Sequence, residues 1–396
     1  MLQAKGDVNV EDSQKIAILK KIITFPSVNG NETEVADFIK NLFKKIPTAK
    51  CTKVNYSPNR DNLVVTLGDK GPLLGFSGHM DVVDPGKEAD WQTPPFQPVI
   101  KGSRLYGRGA SDMKSGLAAL VVAMLELAEE DVSFAGRIRL LASIGEETGE
   151  YGAAQLVKKG YADNLAGLLV AEPTDDMREI VYTARGVIDY RVVSNGKAAH
   201  SAAPQDGINA IDNLFSFYKL AKQRLAELTA ADPVLGKVTH SITKIKGGEQ
   251  VNSIPSYAEL MGNIRTIPQY PNHIFFQALQ KVVSELNERP GYDLSISYSF
   301  PEEAIAGDPQ SEIIQVAQRI YQKHWPHPAI ISGGLGANDA SELLQAQGNF
   351  NFLEIGPGSD TSHQSNEYVE IETYLKATAF YKDFAVAFLA QQQRSL

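Results

Sequence analysis

The chain has 396 residues, which excludes a single small module and predicts two to three domains at about 150 residues each. Its 43% hydrophobic and 21% charged residues are ordinary globular usage, so disorder is not expected. The net charge of −9, without basic clusters beyond lysine pairs, disfavours nucleic-acid and anionic membrane surfaces. A single cysteine, Cys51, excludes an intrachain disulfide and favours a reducing compartment, the cytoplasm. We expect neither a signal peptide nor a membrane span.

Short apolar runs alternate with helical patterns in the first half of the chain. Asn31, followed by Glu34 and an amphipathic stretch, predicts a capped helix. This alternation favours an α/β sandwich. The predicted buried strands are 63–67, 73–76, 138–144 and 168–171, and the predicted helices are 115–129 and 155–159.

The pattern changes from about Thr183 to a β-α-β-β-α-β order, which predicts a small two-layer α+β unit of ~115 residues. We therefore predict a smaller domain, 183–300, inserted between two parts of one larger domain, 1–182 and 301–396. The patterns that carry this prediction are strands 189–193, 237–246 and 294–300 and helices 207–228 and 272–288, followed by helix 311–324, strand 350–355 and helix 372–392.

Acidic and imidazole side chains beside glycines follow several predicted strands, where open α/β sheets place their chemistry. Singly, each has a common structural explanation, such as a turn cap or a solvated surface residue. Together they offer the donors that Zn²⁺ takes when thiolates are absent. They are Gly-His-Met-Asp at 78–81, Gly-Arg-Gly-Ala-Ser-Asp at 107–112, Gly-Glu-Glu at 145–147, Ala-Glu-Pro at 171–173 and Ser-His-Gln-Ser-Asn-Glu at 362–367.

The spacing within two of these clusters suggests how roles divide. In an extended segment, Asp81 leaves on the same side as His79, so its carboxylate could hold the imidazole in one tautomer. Glu146 and Glu147 would point to opposite sides of an extended segment. One of them could then bind metal while the other acts on a water molecule.

In this order the motifs closely resemble the co-catalytic zinc amidohydrolases, a family that includes acetylornithine deacetylase, succinyl-diaminopimelate desuccinylase and glutamate carboxypeptidase. The resemblance covers nearly the whole chain and implies an α/β catalytic domain, a mixed sheet with helices on both faces, and an inserted ferredoxin-like lid that forms a homodimer. It implies two Zn²⁺ ions per chain, with Co²⁺ or Mn²⁺ as substitutes, and a cis peptide bond after the bridging aspartate. It assigns His79 and Glu172 to one ion, Glu147 and His363 to the other, Asp112 to both, Asp81 to the orientation of His79, and Glu146 to general-base catalysis.

The resemblance also implies contacts to an N-acyl amino acid. His200 of the lid would help to hold the oxyanion in the partner subunit's active site. Asn252 and Arg265 match positions that grip a substrate carboxylate, Arg185 is a further candidate, and Gly334 lies in a loop that places backbone against the substrate. His200 could instead be a polar loop residue, and the two arginines could instead form surface salt bridges.

The residues of these motifs are most similar to those of the succinyl-diaminopimelate desuccinylases, although Ser341 stands where better-known desuccinylases have Arg. We therefore expect hydrolysis of N-succinyl-LL-diaminopimelate, with acetylornithine deacetylation as runner-up and a metallo-dipeptidase or carboxypeptidase third. A non-enzyme alternative is an inactive relative that binds acyl-amino acids or a partner protein, although such a relative would usually have lost a ligand or the base. A purely structural metal is disfavoured, because such a site closes its shell with protein ligands.

Overall fold

The computed structural model describes residues 10–129 and 134–394, which form two compact units. The first unit contains the described residues up to Tyr182 together with Gly307–Ser332 and those from Asn338 onward. The second contains Thr183–Ala306 and Gly333–Ala337.

The secondary structure is numbered along the chain. The helices are α1 (Asp12–Ile23), α2 (Thr33–Leu42), α3 (Lys114–Glu129), α4 (Tyr151–Lys158), α5 (Ala210–Leu225), α6 (Asn272–Asn287), α7 (Glu312–His324), α8 (Asp339–Leu343) and α9 (Ile371–Arg394). The strands are β1 (Ala49–Ser57), β2 (Arg60–Leu67), β3 (Leu73–His79), β4 (Val99–Lys101), β5 (Arg104–Tyr106), β6 (Arg137–Ser143), β7 (Gly167–Val170), β8 (Glu179–Ala184), β9 (Val187–Asn195), β10 (Ala199–His200), β11 (Ala231–Asp232), β12 (Gly236–Lys237), β13 (Thr239–Gly247), β14 (Ser253–Ile254), β15 (Tyr257–Arg265), β16 (Leu294–Glu302), β17 (Ile330–Gly334), β18 (Phe352–Glu354) and β19 (Tyr368–Glu370).

The main sheet is mixed and has the order β1-β2-β6-β3-β7-β18-β8-β17 in the described part of the chain. Strands β6, β3, β7 and β18 are parallel to one another, whereas β2 and β8 run antiparallel to their neighbours β6 and β18. All of β3 is buried, so both faces of the sheet are covered at its centre by helices that include α3, α8 and α9. The predicted mixed α/β fold is thus confirmed.

Helix α3 is the centre of the main core. Its residues from Lys114 to Leu127 are all buried, because the sequence is apolar on every face of the helix. Gly116 lets the helix approach the sheet closely, since a Cβ there would lie 2.0 Å from the carbonyl oxygen of Ala171. The buried Glu126 of α3 pairs with Lys15 at 2.9 Å and with Lys382 at 3.2 Å, which ties α3 to α1 and α9.

The second unit has an antiparallel sheet in the order β13-β15-β9-β16, against which α5 and α6 pack. Along the chain this is the β-α-β-β-α-β order, although the sequence pattern had not located β15. Burial alternates strictly from Ile188 to Ser194, as expected for a sheet with one covered face. Strand β13 lies at one edge of this sheet and is largely exposed.

The predicted cap of helix α2 was wrong. The helix begins at Thr33, its N-cap is Glu32, and Asn31 has a left-handed φ of 61°. The buried carboxylate of Glu32 binds the guanidinium of Arg60 instead, which fixes the chain before the helix. Helix α1 was not predicted.

No helix in the described ranges combines the length and apolarity that crossing a membrane requires.

Candidate metal centre

Two histidines face the two oxygens of one aspartate. His79 Nε2 lies 3.1 Å from Asp112 Oδ1, and His363 Nε2 lies 3.4 Å from Asp112 Oδ2. Glu172 Oε1 is 3.6 Å from His79 Nε2, while Glu147 Oε2 is 3.0 Å from His363 Nε2. Asp112 therefore stands between two histidine–glutamate pairs. These are the side chains that the resemblance assigned to two ions, and the structure brings all five together.

The fold gathers these residues at one edge of the main sheet. His79 ends β3, and Glu172 follows β7, which is parallel to β3. Carboxyl ends of parallel strands meet at the same edge, so loops distant in sequence converge there. Asp112 precedes α3, and the peptide bond from Asp112 to Met113 is cis, as the resemblance implied. His363 lies in the loop between β18 and β19.

Glu146 is a further carboxylate at this centre. Its Oε2 lies 3.9 Å from His79 Nε2. Burial, together with repulsion from neighbours that include Glu172 and Asp339, raises the pKa of Glu146 well above its usual range despite attraction from His79. A carboxylate with a raised pKa holds a proton more readily, which suits an acid–base role.

The two imidazoles supply the positive charge. Burial lowers the pKa of His79, but Glu172, Asp112 and other carboxylates outweigh burial and hold that pKa well above its usual range. Hydrogen bonds with Asp112 and Glu147 raise the pKa of His363 to about 10. Burial alone would raise the pKa of Asp112, yet its bonds to the two histidines bring it below the usual range.

The donor set fits a metal centre. Within the described ranges, no lysine or arginine nitrogen lies within 4.0 Å of these carboxylates, so the protein itself leaves an excess of negative charge here. Imidazole and carboxylate donors suit Zn²⁺ and related divalent ions. The overlapping groups with ligand atoms within 4.8 Å of one another are His79–Asp112–Glu172, His79–Glu146–Glu147 and Asp112–Glu147–His363.

Asp81 contacts His79 differently from the prediction. His79 Nδ1 lies 2.9 Å from the main-chain oxygen of Asp81 and 3.7 Å from its carboxylate. The carboxylate accepts hydrogen bonds from the main-chain N–H groups of Glu146 and Glu147, each at 3.3 Å. One residue thus holds the imidazole through its carbonyl and the two glutamates through its side chain.

The extended segment predicted for Glu146 and Glu147 was wrong, because both lie in a 3₁₀ turn, Glu146–Thr148. Gly145 turns the chain with a left-handed φ of 66°, and a Cβ there would lie 2.1 Å from the ring of Tyr151. The two side chains nevertheless separate, since Glu146 approaches His79 and Glu147 approaches His363.

The other predicted site residues belong to the second unit. His200 is exposed on β10, which pairs with β14, and the adjacent Ser201 N–H donates to the Asn252 carbonyl. The Arg185 guanidinium donates to the Leu235 and Lys237 carbonyls, so in this structure it holds a turn.

Arg265 lies close enough to Arg185 for its charge to add to burial in lowering the pKa of Arg185. No acidic side chain pairs with Arg265 among the described residues. The Gly334 carbonyl accepts from the main-chain N–H of Arg185, which places the glycine-rich loop beside these arginines.

Two buried acids beside the centre were not predicted. Asp339 accepts a hydrogen bond from Ser143, and Glu354 accepts one from Asn338 at 2.7 Å. Burial is the largest cause that raises the pKa of each to about 7. Asp339 follows the loop of Gly334 in sequence, but only the fold shows that it approaches Glu172.

Comparison with known proteins agrees with this geometry. The sequence model of peptidase family M20/M25/M40 matches residues 75–387. A protein from Staphylococcus aureus named probable succinyl-diaminopimelate desuccinylase is 35% identical, over 96% of this chain and 99% of that protein.

Solved structures share the fold. An M20-family metallo-carboxypeptidase from Sulfolobus solfataricus superposes with a TM-score of 0.81 at 17% identity, over 95% of this chain and 99% of its own. A Bacillus subtilis protein described as a dinuclear metal-binding peptidase of the M20 family has a TM-score of 0.69 at 15% identity, over 96% of this chain and 98% of its own.

Metal removal is expected to destabilise the protein. A ligand at 100 times its Kd stabilises the folded state by about 2.7 kcal/mol, so Zn²⁺ should raise the unfolding temperature and a chelator should reverse the rise. His363→Asn should reduce the rise, because asparagine keeps the left-handed backbone of residue 363 (φ 63°) but loses the imidazole.

The matched control is His327→Asn, since His327 is exposed and belongs to no candidate metal group. Thermal unfolding with Zn²⁺ and with a chelator provides the measurement. An equal zinc-dependent rise in His363→Asn and the parent would contradict the assignment of His363.

Proposed function

The chain belongs to peptidase family M20/M25/M40 and is a metal-dependent amidohydrolase, and we propose that it releases the acyl group of an N-acyl amino acid with two Zn²⁺ ions per chain. The observation that carries this proposal is Asp112, whose two oxygens face two separate histidine–glutamate pairs. A second support is Glu146, a carboxylate beside that set which remains available for proton transfer. Co²⁺ or Mn²⁺ would serve as substitute ions.

The proposed roles follow from the donor set. His79 and Glu172 would hold one ion, Glu147 and His363 the other, and Asp112 both. Bound there, the ions would lower the pKa of a water molecule and polarise the scissile carbonyl.

Glu146 would take a proton from the attacking water as the new carbon–oxygen bond forms, and would give it to the amine as the carbon–nitrogen bond breaks. The products are a carboxylate and a free amine.

For the substrate, we propose N-succinyl-LL-diaminopimelate, which would yield succinate and LL-diaminopimelate, a precursor of lysine and of the cell wall. The name of the Staphylococcus aureus relative supports this choice. Arg265 supports it independently, because a guanidinium without an acidic partner among the described residues suits a substrate carboxylate. Arg185, Asn252 and Gly334 would complete the contacts.

Ser341 favours keeping a second candidate, the deacetylation of acetylornithine. Ser341 is buried, and its hydroxyl oxygen lies within hydrogen-bond distance of two acceptors, the Glu150 carboxylate at 2.6 Å and the Asn338 carbonyl at 2.7 Å. The position where better-known desuccinylases have Arg therefore holds a short side chain beside a carboxylate. An acyl group without a negative charge would not need a positively charged side chain at that position.

We also propose a cytoplasmic homodimer formed through the second unit. Strand β13 is an edge strand, and an exposed edge is a template for pairing with another chain. Large apolar side chains are exposed nearby, including Ile245 at 59% and Phe215 at 59%. In a dimer, His200 would serve the partner subunit's active site and hold the oxyanion. The lone Cys51 supports a reducing compartment.

Glu146→Gln should lower turnover by orders of magnitude without loss of metal. Removal of a general base costs about 10²- to 10⁴-fold in kcat, whereas the zinc ligands remain. Amine release from N-succinyl-LL-diaminopimelate and zinc content per chain are the two measurements, with the exposed Glu88→Gln as control. Near-normal turnover in Glu146→Gln would remove Glu146 from the mechanism. Inactivity of the zinc-loaded parent on this substrate would move the proposal to acetylornithine.

Arg265→Met should raise KM about tenfold to a hundredfold, since a hydrogen bond to a charged group contributes about 1.5–3 kcal/mol. Steady-state kinetics on succinylated and acetylated substrates would separate two possibilities. A rise for the succinyl substrate alone places Arg265 at the acyl carboxylate, and a rise for both places it at the amino-acid carboxylate. Arg289→Met, in the same unit but paired with Glu285, is the control. An unchanged KM on both substrates would refute the contact.

Ile245→Lys should convert a dimer to a monomer, because it adds charge to the exposed face of β13. Sedimentation velocity at micromolar protein tests this, with Val234→Lys as a control at another exposed apolar position of the same unit. A monomeric parent, or a variant that stays dimeric, would contradict the proposed interface.

A further inference from the structure

A buried ion pair outside the metal-binding set connects the loops that carry the ligands. Arg108 Nη1 lies 2.6 Å from Glu367 Oε2, and the two side chains are 2% and 0% exposed. Neither residue belongs to a candidate metal group. The pair joins positions 259 residues apart, one shortly before Asp112 and the other shortly after His363.

Glu367 holds the loop that ends at Asp112. Its Oε1 accepts from the main-chain N–H groups of Ser111 at 2.7 Å and Asp112 at 2.9 Å. Its Oε2 accepts from the N–H of Gly109 at 3.0 Å as well as from Arg108. One carboxylate therefore binds four donors, and one of them is the main chain of the aspartate that faces both histidines.

Arg108 extends the connection to two other loops. Its Nη1 also donates to the Gln364 carbonyl at 3.2 Å, the residue after His363. Its Nη2 donates to the Asp84 carbonyl at 3.3 Å, in the segment that follows His79. The guanidinium lies 5.2 Å from the ring centre of Trp91, which covers it from that same segment.

A second contact repeats the link between the His79 and His363 loops. Asn366 accepts from the Gln92 N–H at 2.7 Å and donates to the Asp90 carbonyl at 3.0 Å. The loops that bear His79, Asp112 and His363 are thus bound to one another through groups that lie outside the candidate metal groups.

We propose that Arg108 and Glu367 are positioning residues that set the separation between Asp112 and His363, and thereby the affinity and coordination of the ion held by Asp112, Glu147 and His363. The proposal rests on the proposed two-metal function. Groups behind metal ligands commonly change metal affinity about tenfold to a hundredfold when mutated, because they fix the orientation of the ligands.

Glu367→Gln is the sharpest test, since it keeps the size of the side chain. Both carboxylate oxygens accept hydrogen bonds, so either orientation of the glutamine amide turns its NH₂ group toward N–H donors. Arg108→Lys is the second variant, because an ammonium cannot reach Glu367, Gln364 and Asp84 together with the geometry of a guanidinium.

The matched control is Glu370→Gln. Glu370 lies three residues beyond Glu367 and pairs with Arg104 at 2.6 Å, but this pair is partly exposed and joins β19 to β5. This control breaks an arginine–glutamate pair that does not hold the loops of the candidate ligands, so we expect no change at the metal centre in it.

The measurement is a Co²⁺ titration of the metal-free protein, monitored by calorimetry and by the visible absorption of the bound ion. It is made below the unfolding temperature of each variant. We expect two binding events in the parent and in Glu370→Gln. In Glu367→Gln and Arg108→Lys, one event should weaken at least about tenfold, with a changed absorption spectrum, while the other is retained.

The outcomes separate this inference from the function on which it rests. Fewer than two ions in the parent would refute the two-metal proposal itself. Two ions with parental affinity and spectrum in both variants, even at a lower unfolding temperature, would refute only the positioning role. If Glu367→Gln does not fold, Arg108→Lys alone decides by the same criteria.

Discussion

The strongest electrostatic constraint on the first unit is an excess of negative charge around two imidazoles. Four carboxylates and two histidines converge near the carboxyl ends of parallel strands in the mixed main sheet, with no lysine or arginine within ion-pair distance in the described ranges. Such a cluster is costly unless cations join it. The buried helix α3 and the fully buried strand β3 provide the rigid support that holds these groups together.

The residues of the centre could be predicted from sequence, because histidines and carboxylates beside glycines near predicted strand ends indicated a metal site and the resemblance to the zinc amidohydrolases assigned the individual positions. Its local geometry could not. Whether Asp81 presents its carbonyl or its carboxylate to His79 depends on backbone torsions, and so does the turn at Gly145 that separates Glu146 from Glu147. Arg108 and Glu367 both lie in motifs noted in the sequence, but their side chains are 259 residues apart along the chain. Only the folded structure shows that they are in contact.

The residues proposed for hydrolysis and those proposed for substrate recognition belong to different units of the chain. The metal ligands and Glu146 all belong to the first unit, whereas His200, Arg185, Asn252, Arg265 and Gly334 belong to the second. Under the proposed function, changes in the second unit would alter which acyl group or amino acid is accepted and would leave the proposed metal ligands in place. Ser341, in contrast, lies in the first unit, and it stands where the better-known desuccinylases have Arg.

The position of β18 has a consequence for how the protein is made. This strand lies between β7 and β8, although it is synthesised more than 150 residues after either of them. A nascent chain on the ribosome must therefore keep the facing edges of β7 and β8 apart, or release a wrong pairing between them, until Phe352–Glu354 emerges. His363 emerges later still, so no shorter translation intermediate carries the full ligand set.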